Sequence, residues 1–232
     1  MNHHNYNIHA GIMPINPKSQ LLRIPIQQSK NVHRFSLDSV LLAQHVYPKK
    51  NSRMLDLGCG CGIISIMIAK GYPDTHIIGI DIQKDAVRLA KENVRVNNLM
   101  SQVTILERDL RSIKGNEFNR FQYVVCNPPF RVCGGGRPNQ AYTKLIAREE
   151  ILCTLDDILA VSRKILVNQG ELSLIYPAER IGDVMVQMSS NNITPKDLIP
   201  VYTRPAQPAK WGILKGRLNS KVGLQIHESL YV

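Results

Sequence analysis

The chain has no apolar run long enough to cross a bilayer, and its opening, "MNHHNYNIHA", is polar where a secretory signal would be hydrophobic. It also has no CxxC pair. Its five cysteines, Cys59, Cys61, Cys126, Cys133 and Cys153, lie mostly inside apolar segments. These absences argue against a membrane protein and against a disulfide-stapled secreted one, and lead us to expect free thiols in the cytoplasm. Aromatic residues make up only 6%, with one tryptophan, Trp211, which reads as core in a closing strand. His3, His4 and His9 have no partners at metal-ligand spacing, so they read as a disordered terminus and no metal is expected. There is no internal repeat or low-complexity segment.

Acidic residues are the other shortage: 18 Asp and Glu against 29 Lys and Arg, a net charge of +11. The imbalance is uneven. Residues 1–54 carry seven basic residues and one acid, Asp38, and residues 194–232 carry six and two, whereas residues 55–193 are nearly balanced. Basic flanks on a neutral core suit a polyanionic partner, and equally a solvated basic surface. Lys18, Arg23, Lys30 and Arg34 on one flank, and Lys210, Lys215, Arg217 and Lys221 on the other, are the candidates to follow a nucleic-acid backbone.

What the chain does have is a regular alternation. "RMLDL", "THIIGI", "QVTILE", "FQYVVC" and "ELSLIY" read as strands, and "IISIMIAKG", "KDAVRLAKENVRVNN", "LIAREEILCTLDDILAVSRKIL" and "AERIGDVMVQMSS" as helices between and after them. Such a pattern predicts an α/β fold with a doubly wound, mostly parallel sheet of seven strands. The closing strands, "LIPVYTR" and "GILKG … VGLQIHESLYV", are expected to form an antiparallel hairpin at its edge. Residues 1–47 read as a short appendage, with a small hairpin near "LLRIPI" and a helix at "SLDSVLLAQHV" capped by Ser36 or Asp38. Residues 48–232 read as the main domain.

The first strand runs into "DLGCGCG", residues 56–62, and then a helix. Gly58, Gly60 and Gly62 permit a sharp turn and close backbone approach to a ligand. A dinucleotide site has GxGxxG facing a pyrophosphate, but this loop is GxGxG preceded by an acid, which suits a ligand without phosphates. Asp56 belongs near a cationic group, Asp81 at the next strand end can accept ribose hydroxyls, and Asp109 after the third can take an adenine amine. Adenosine with a cationic amino-acid tail describes S-adenosylmethionine. Cys59 and Cys61 read as small packing residues between the glycines.

These motifs, across residues 50–180, resemble the class I S-adenosylmethionine-dependent methyltransferases. The resemblance implies a Rossmann-like fold and a cofactor site lined by Asp56, Gly58, Cys59, Gly60 and Gly62, with Asp81, Ile82, Asp109, Leu110 and Asn127. At the end of the fourth strand stands Asn127-Pro128-Pro129-Phe130. An NPP[FY] tetrad there resembles methyltransferases acting on conjugated nitrogens: adenine N6, guanine N2 or a glutamine amide. Such an NH2 is a poor nucleophile because its lone pair is delocalised. The Asn127 side-chain oxygen and the Pro128 carbonyl can hold its two N–H groups, and Phe130 can stack on the base. The prolines keep the acceptors in place, so little reorganisation is needed.

"RFSLDSVLLA", residues 34–43, and "NPPFRVCGGGRPN" with "AREE" after it resemble the bacterial tRNA(Val) adenine-37 N6-methyltransferases. That family often has Tyr where His33 stands, Glu where Asp81 stands, and an aromatic where Arg131 stands. The resemblance implies a tRNA methyltransferase, with Arg34, Phe35, Arg131 and Arg137 toward RNA. The alternatives are an rRNA guanine N2-methyltransferase or a protein glutamine N5-methyltransferase. A monomer is the favoured oligomeric state.

Overall fold

The computed structural model describes residues 4–8, 24–29, 32, 35–115, 117, 118, 120–128 and 153–232. In chain order the first elements are β1 (His4–Ile8), β2 (Ile24–Gln28), α1 (Leu37–Gln44), β3 (Arg53–Leu57) and α2 (Ile63–Gly71). Then follow β4 (His76–Asp81), α3 (Lys84–Val96), β5 (Val103–Glu107) and β6 (Phe121–Cys126). The C-terminal part comprises α4 (Leu155–Ile165), β7 (Leu166–Pro177), α5 (Ile181–Ser190), β8 (Ile193–Tyr202) and β9 (Trp211–Leu218). Two short strands, β10 (Gln225–Ile226) and β11 (Leu230–Tyr231), close it.

The main sheet runs β5-β4-β3-β6-β7-β9-β8, with β10 and β11 both pairing parallel to the outer side of β8. Strands β3 to β7 are parallel, and β9 is antiparallel to both β7 and β8. The expected seven strands are therefore present, with two added edge pieces. The closing hairpin is β8–β9, but it folds back so that β9 lies inside the sheet. β8 begins at Ile193, well before "LIPVYTR", and carries Pro195 and Pro200. A register shift between Pro195 and Asp197 absorbs the first proline, as expected for a strand near an edge.

Alternation along each strand divides the core into two layers. One contains Met54, Ile77 and Val125 under α1, α2 and α3, and the other contains Leu55, Leu57 and Val124 under α4 and α5. α2 is apolar on all sides because it is buried from Ile63 to Ala69. α3 is amphipathic, burying Ala86, Val87, Leu89, Ala90 and Val94 and presenting its charges outward. α4 starts with a capping box: Thr154 accepts from Asp157 N–H, and the Asp157 carboxylate accepts from Thr154 N–H.

The first strands form a separate antiparallel pair, β1–β2. His4 is the first residue of β1, which corrects its reading as part of a disordered terminus; His3 and His9 lie outside the described residues. β2 is held on α3 by polar side chains. Gln27 N–H donates to Asn93 Oδ1 at 2.8 Å, Asn93 Nδ2 donates to Gln27 O, and Asn97 Nδ2 donates to Pro25 O. Ile24, Ile26, Leu41 and Leu42 join the same core layer as α2 and α3. Among the described residues no helix is long and apolar enough to cross a membrane.

β3, β4, β5 and β6 all end at one edge of the sheet, and β9 starts there, with Trp211 opposite Pro177. The chain moves outward from β3 to β4 and β5, then returns to β6 on the other side of β3. That reversal opens a crevice at the strand ends, where ligands bind in doubly wound folds.

Candidate active site

A cavity of about 320 Å³ occupies this crevice. Its floor is the loop after β3, where Gly58 and Gly60 adopt left-handed backbone, φ 69° and 54°. A methyl group added at either would meet nothing within 4 Å, so both glycines face open space. The loop is closed by Cys59 N–H donating to Ile80 O, and Gly62 N–H to Cys59 O. Gly62, φ 83°, caps α2 rather than lining the cavity; an added methyl there would crowd Ala90 of α3 at 3.3 Å.

Asp81, at the end of β4, lines the cavity. Gly60 N–H donates to its Oδ2 and Gln83 N–H to its Oδ1, both at 2.9 Å. Burial raises its pKa, and the backbone donors oppose that rise. Ile82, Asp109 and Leu110 line the adjoining wall. Asp109 caps a short 3-10 turn and is paired with the Arg111 guanidinium, which lowers its pKa.

Asp56 does not line this wall. Strand alternation turns its side chain toward α2, where it is fully enclosed. Its Oδ2 accepts from Ser65 Oγ at 2.6 Å and Ser65 N–H at 3.2 Å; among the described residues Oδ1 has no partner. Burial pushes its pKa up to about 7 despite the Ser65 bonds. It braces the loop from behind, a placement that its sequence position beside the glycines did not reveal.

Asn127 and Pro128 line the cavity directly after β6. Asn127 Nδ2 donates to Ser39 Oγ of α1 at 2.8 Å. That bond fixes which way the carboxamide faces. Its Oδ1 is buried and, among the described residues, has no hydrogen-bond partner. An unmet buried acceptor is costly, so it marks a place for a donor from a ligand. Pro129, Phe130, Arg34, Arg131 and Arg137 lie outside the described residues. Phe35 is half-buried and lines the cavity beside α1.

Sequence reasoning missed several lining residues. Asp38 and Ser39 were in plain view within "RFSLDSVLLA", but only as helix-start residues. Lys210 and Trp211 enter because β9 begins at the site edge. Trp211 is 9% exposed, so its reading as core holds, yet it also lines the cavity with Lys210 Nζ 4.2 Å above its ring. Lys215, expected to follow a nucleic-acid backbone, is buried beside Glu171 and Tyr47, and Arg217 leans toward the same Glu171. Burial lowers the Lys215 pKa, and Glu171 opposes that. The described cysteines are free thiols, and burial raises the pKa of Cys61 to about 11 and that of Cys59 well above its usual value. Neither is a nucleophile at neutral pH, in keeping with a packing role. Cys133 lies outside the described residues.

The family model for the methyltransferase small domain matches residues 32–182. The chain belongs to that family. A protein of Porphyromonas gingivalis called tRNA1(Val) (adenine(37)-N6)-methyltransferase is 28% identical over 81% of this chain and 76% of its own length. A protein of the same name from Parabacteroides distasonis is 26% identical, covering 84% and 81%. In fold, the chain is similar to a crystal structure of a predicted O-methyltransferase from Agrobacterium tumefaciens, with a TM-score of 0.67 at 18% identity, covering 84% of this chain and 87% of that one. The architecture is that of the class I methyltransferases, a mostly parallel sheet with antiparallel C-terminal strands.

Proposed function

We propose that this chain transfers a methyl group from S-adenosylmethionine to the N6 amine of an anticodon-loop adenine in tRNA, adenine 37 of a tRNA(Val). The observation that carries this reading is Asn127 Oδ1, without a hydrogen-bond partner among the described residues and placed at a strand end beside an open glycine loop. The cavity suits the donor: Gly58 and Gly60 leave room for close backbone contact, and Asp81, held by Gly60 N–H and Gln83 N–H, lines the cavity where its carboxylate can also accept ribose hydroxyls. Asp109 and Leu110 border the adenine end. When bound, S-adenosylmethionine supplies an electrophilic methyl carbon on a sulfonium.

The protein's own work is positioning. Asn127 Oδ1 and the Pro128 carbonyl accept the two N–H groups of the target amine and turn its lone pair toward the donor. Ser39 holds the carboxamide in that orientation. The amine takes up the donor's positive charge with the methyl group, so no strong general base is needed at the transfer step, and the methylated nitrogen then releases one proton to solvent. The acceptors are already in place, which limits reorganisation. Pro129 stiffens the corner, Phe130 stacks on the base, Arg131 and Arg137 hold phosphates of the target nucleotide, and Arg34 follows the tRNA backbone. Asp56 supports the loop rather than touching the donor. Residues 1–47 act as a substrate-side appendage to the methyltransferase domain of residues 48–232, and the enzyme works in the cytoplasm as a monomer. An unpaired anticodon-loop purine can be splayed out for an unstacking cost of a few kcal/mol. The relatives named for adenine 37 of tRNA1(Val) support that target over guanine or glutamine.

Mass spectrometry of nucleosides from purified tRNA(Val), from cells with and without this chain, tests the reading. Loss of N6-methyladenosine in its absence is expected; an unchanged nucleoside profile would reject it.

A further inference from the structure

We propose that Asp38 is the counter-charge for the α-ammonium group of the methyl donor's amino-acid tail. This rests on the donor reading above but not on the identity of the acceptor. The argument begins with Asp56, the acid next to the glycine loop, which is sealed behind the loop and bonded to Ser65. The ammonium of a donor tail in the cavity therefore needs another acceptor, because a charge taken from water requires a partner.

Among the described residues three acids line the cavity: Asp38, Asp81 and Asp109. Asp81 ends β4, and Asp109 follows β5 and is already matched by Arg111. Both lie on the side of β3 away from β6. Asp38 lies on the other side. Its neighbour Ser39 touches Asn127 at the end of β6, so the carboxylate stands next to the corner where transfer must occur. An extended donor with its adenine toward Asp109 and its ribose at Asp81 brings its tail to Asp38.

Asp38 is held in position. Its Oδ1 accepts from Ser39 N–H at 2.9 Å and from Ser36 Oγ, and the residue lines the cavity. The residue is 6% exposed, so its field is only weakly screened by water. Among the described residues it makes no ion pair.

Calorimetry with two ligands on the full chain tests this. S-adenosylhomocysteine carries the amino-acid tail; 5′-methylthioadenosine carries the adenosine without it. Asp38→Asn keeps an oxygen for Ser36 and Ser39 while removing the charge. The expected result is a loss of about tenfold or more in affinity for S-adenosylhomocysteine, the scale of a charged hydrogen bond, with 5′-methylthioadenosine changed less than about twofold. Equal losses for both ligands would mean a distorted cavity, and no loss for either would mean no contact; each would overturn the assignment. If the unaltered protein bound neither ligand, the donor reading itself would fail, which is a separable outcome.

Discussion

The Ser39 hydroxyl accepts a 2.8 Å hydrogen bond from Asn127 Nδ2, joining α1 to the end of β6 across 88 residues of sequence. Because the amide nitrogen is committed to Ser39, the amide oxygen remains as the acceptor. Ser39→Ala frees the carboxamide to rotate, so kcat should fall by roughly tenfold while the donor KM stays constant. Steady-state transfer assays check this. In an Asn127→Ala background the same substitution should add little, because both act through one group. Independent, additive losses would contradict the coupling.

Gly60 sits in left-handed backbone with open space where a side chain would go. Gly60→Ala should cost roughly 1 kcal/mol of stability from backbone strain and also weaken donor binding, because the methyl enters the cavity. Gly182, in α5, has equal space and no positive φ, so Gly182→Ala should raise stability by roughly 0.5 kcal/mol and leave binding unchanged. Denaturant unfolding alongside calorimetry separates the two.

Asp56 makes stability depend on pH. With its folded pKa raised to about 7, the folded chain keeps a proton between about pH 4 and pH 7 that the unfolded chain has released. Stability from this group is complete below that window and is lost as pH rises through it, by roughly 4 kcal/mol at most. Asp56→Asn should flatten the fall in melting temperature between pH 5 and pH 8. Asp81, also raised by burial, should preserve part of the slope. An unchanged profile would show that Asp56 does not titrate as its enclosure requires.

Lys210 and Lys215 both lie on the basic C-terminal flank, yet they should behave differently. Lys210 is exposed at the cavity rim; Lys210→Ala should raise the KM for tRNA and make its salt dependence shallower by about one counterion, with little effect on stability. Lys215 is buried beside Glu171, so Lys215→Ala should cost roughly 1–3 kcal/mol of stability and leave tRNA affinity unchanged. Thermal melts and filter binding over a salt series distinguish them.

That contrast marks where sequence reading stops. The parallel sheet was legible because alternation and helical spacing are local. The glycine loop, Asp81, Asp109 and Asn127 were legible because strand ends place them at one edge whatever the details. Asp56 misled because its neighbours face the cavity, while strand alternation turns it away. Lys215 misled because its charge is visible in the sequence and its burial against Glu171 and Tyr47 is not. Asp38 and Ser39 belong to a helix start, and only the docking of α1 beside β6 shows that they reach the site. Trp211 became a lining residue because β9 inserts between β7 and β8, an order that no local pattern encodes.

The central claim is that Asn127 presents an adenine amine to the methyl donor. Unmodified tRNA(Val) incubated with methyl-labelled S-adenosylmethionine tests it directly, followed by digestion and nucleoside analysis. The account predicts label in N6-methyladenosine at position 37, reduced by about 100-fold or more with Asn127→Ala, which should still bind S-adenosylhomocysteine. Label in guanine, label on protein, or undiminished transfer by Asn127→Ala would contradict it.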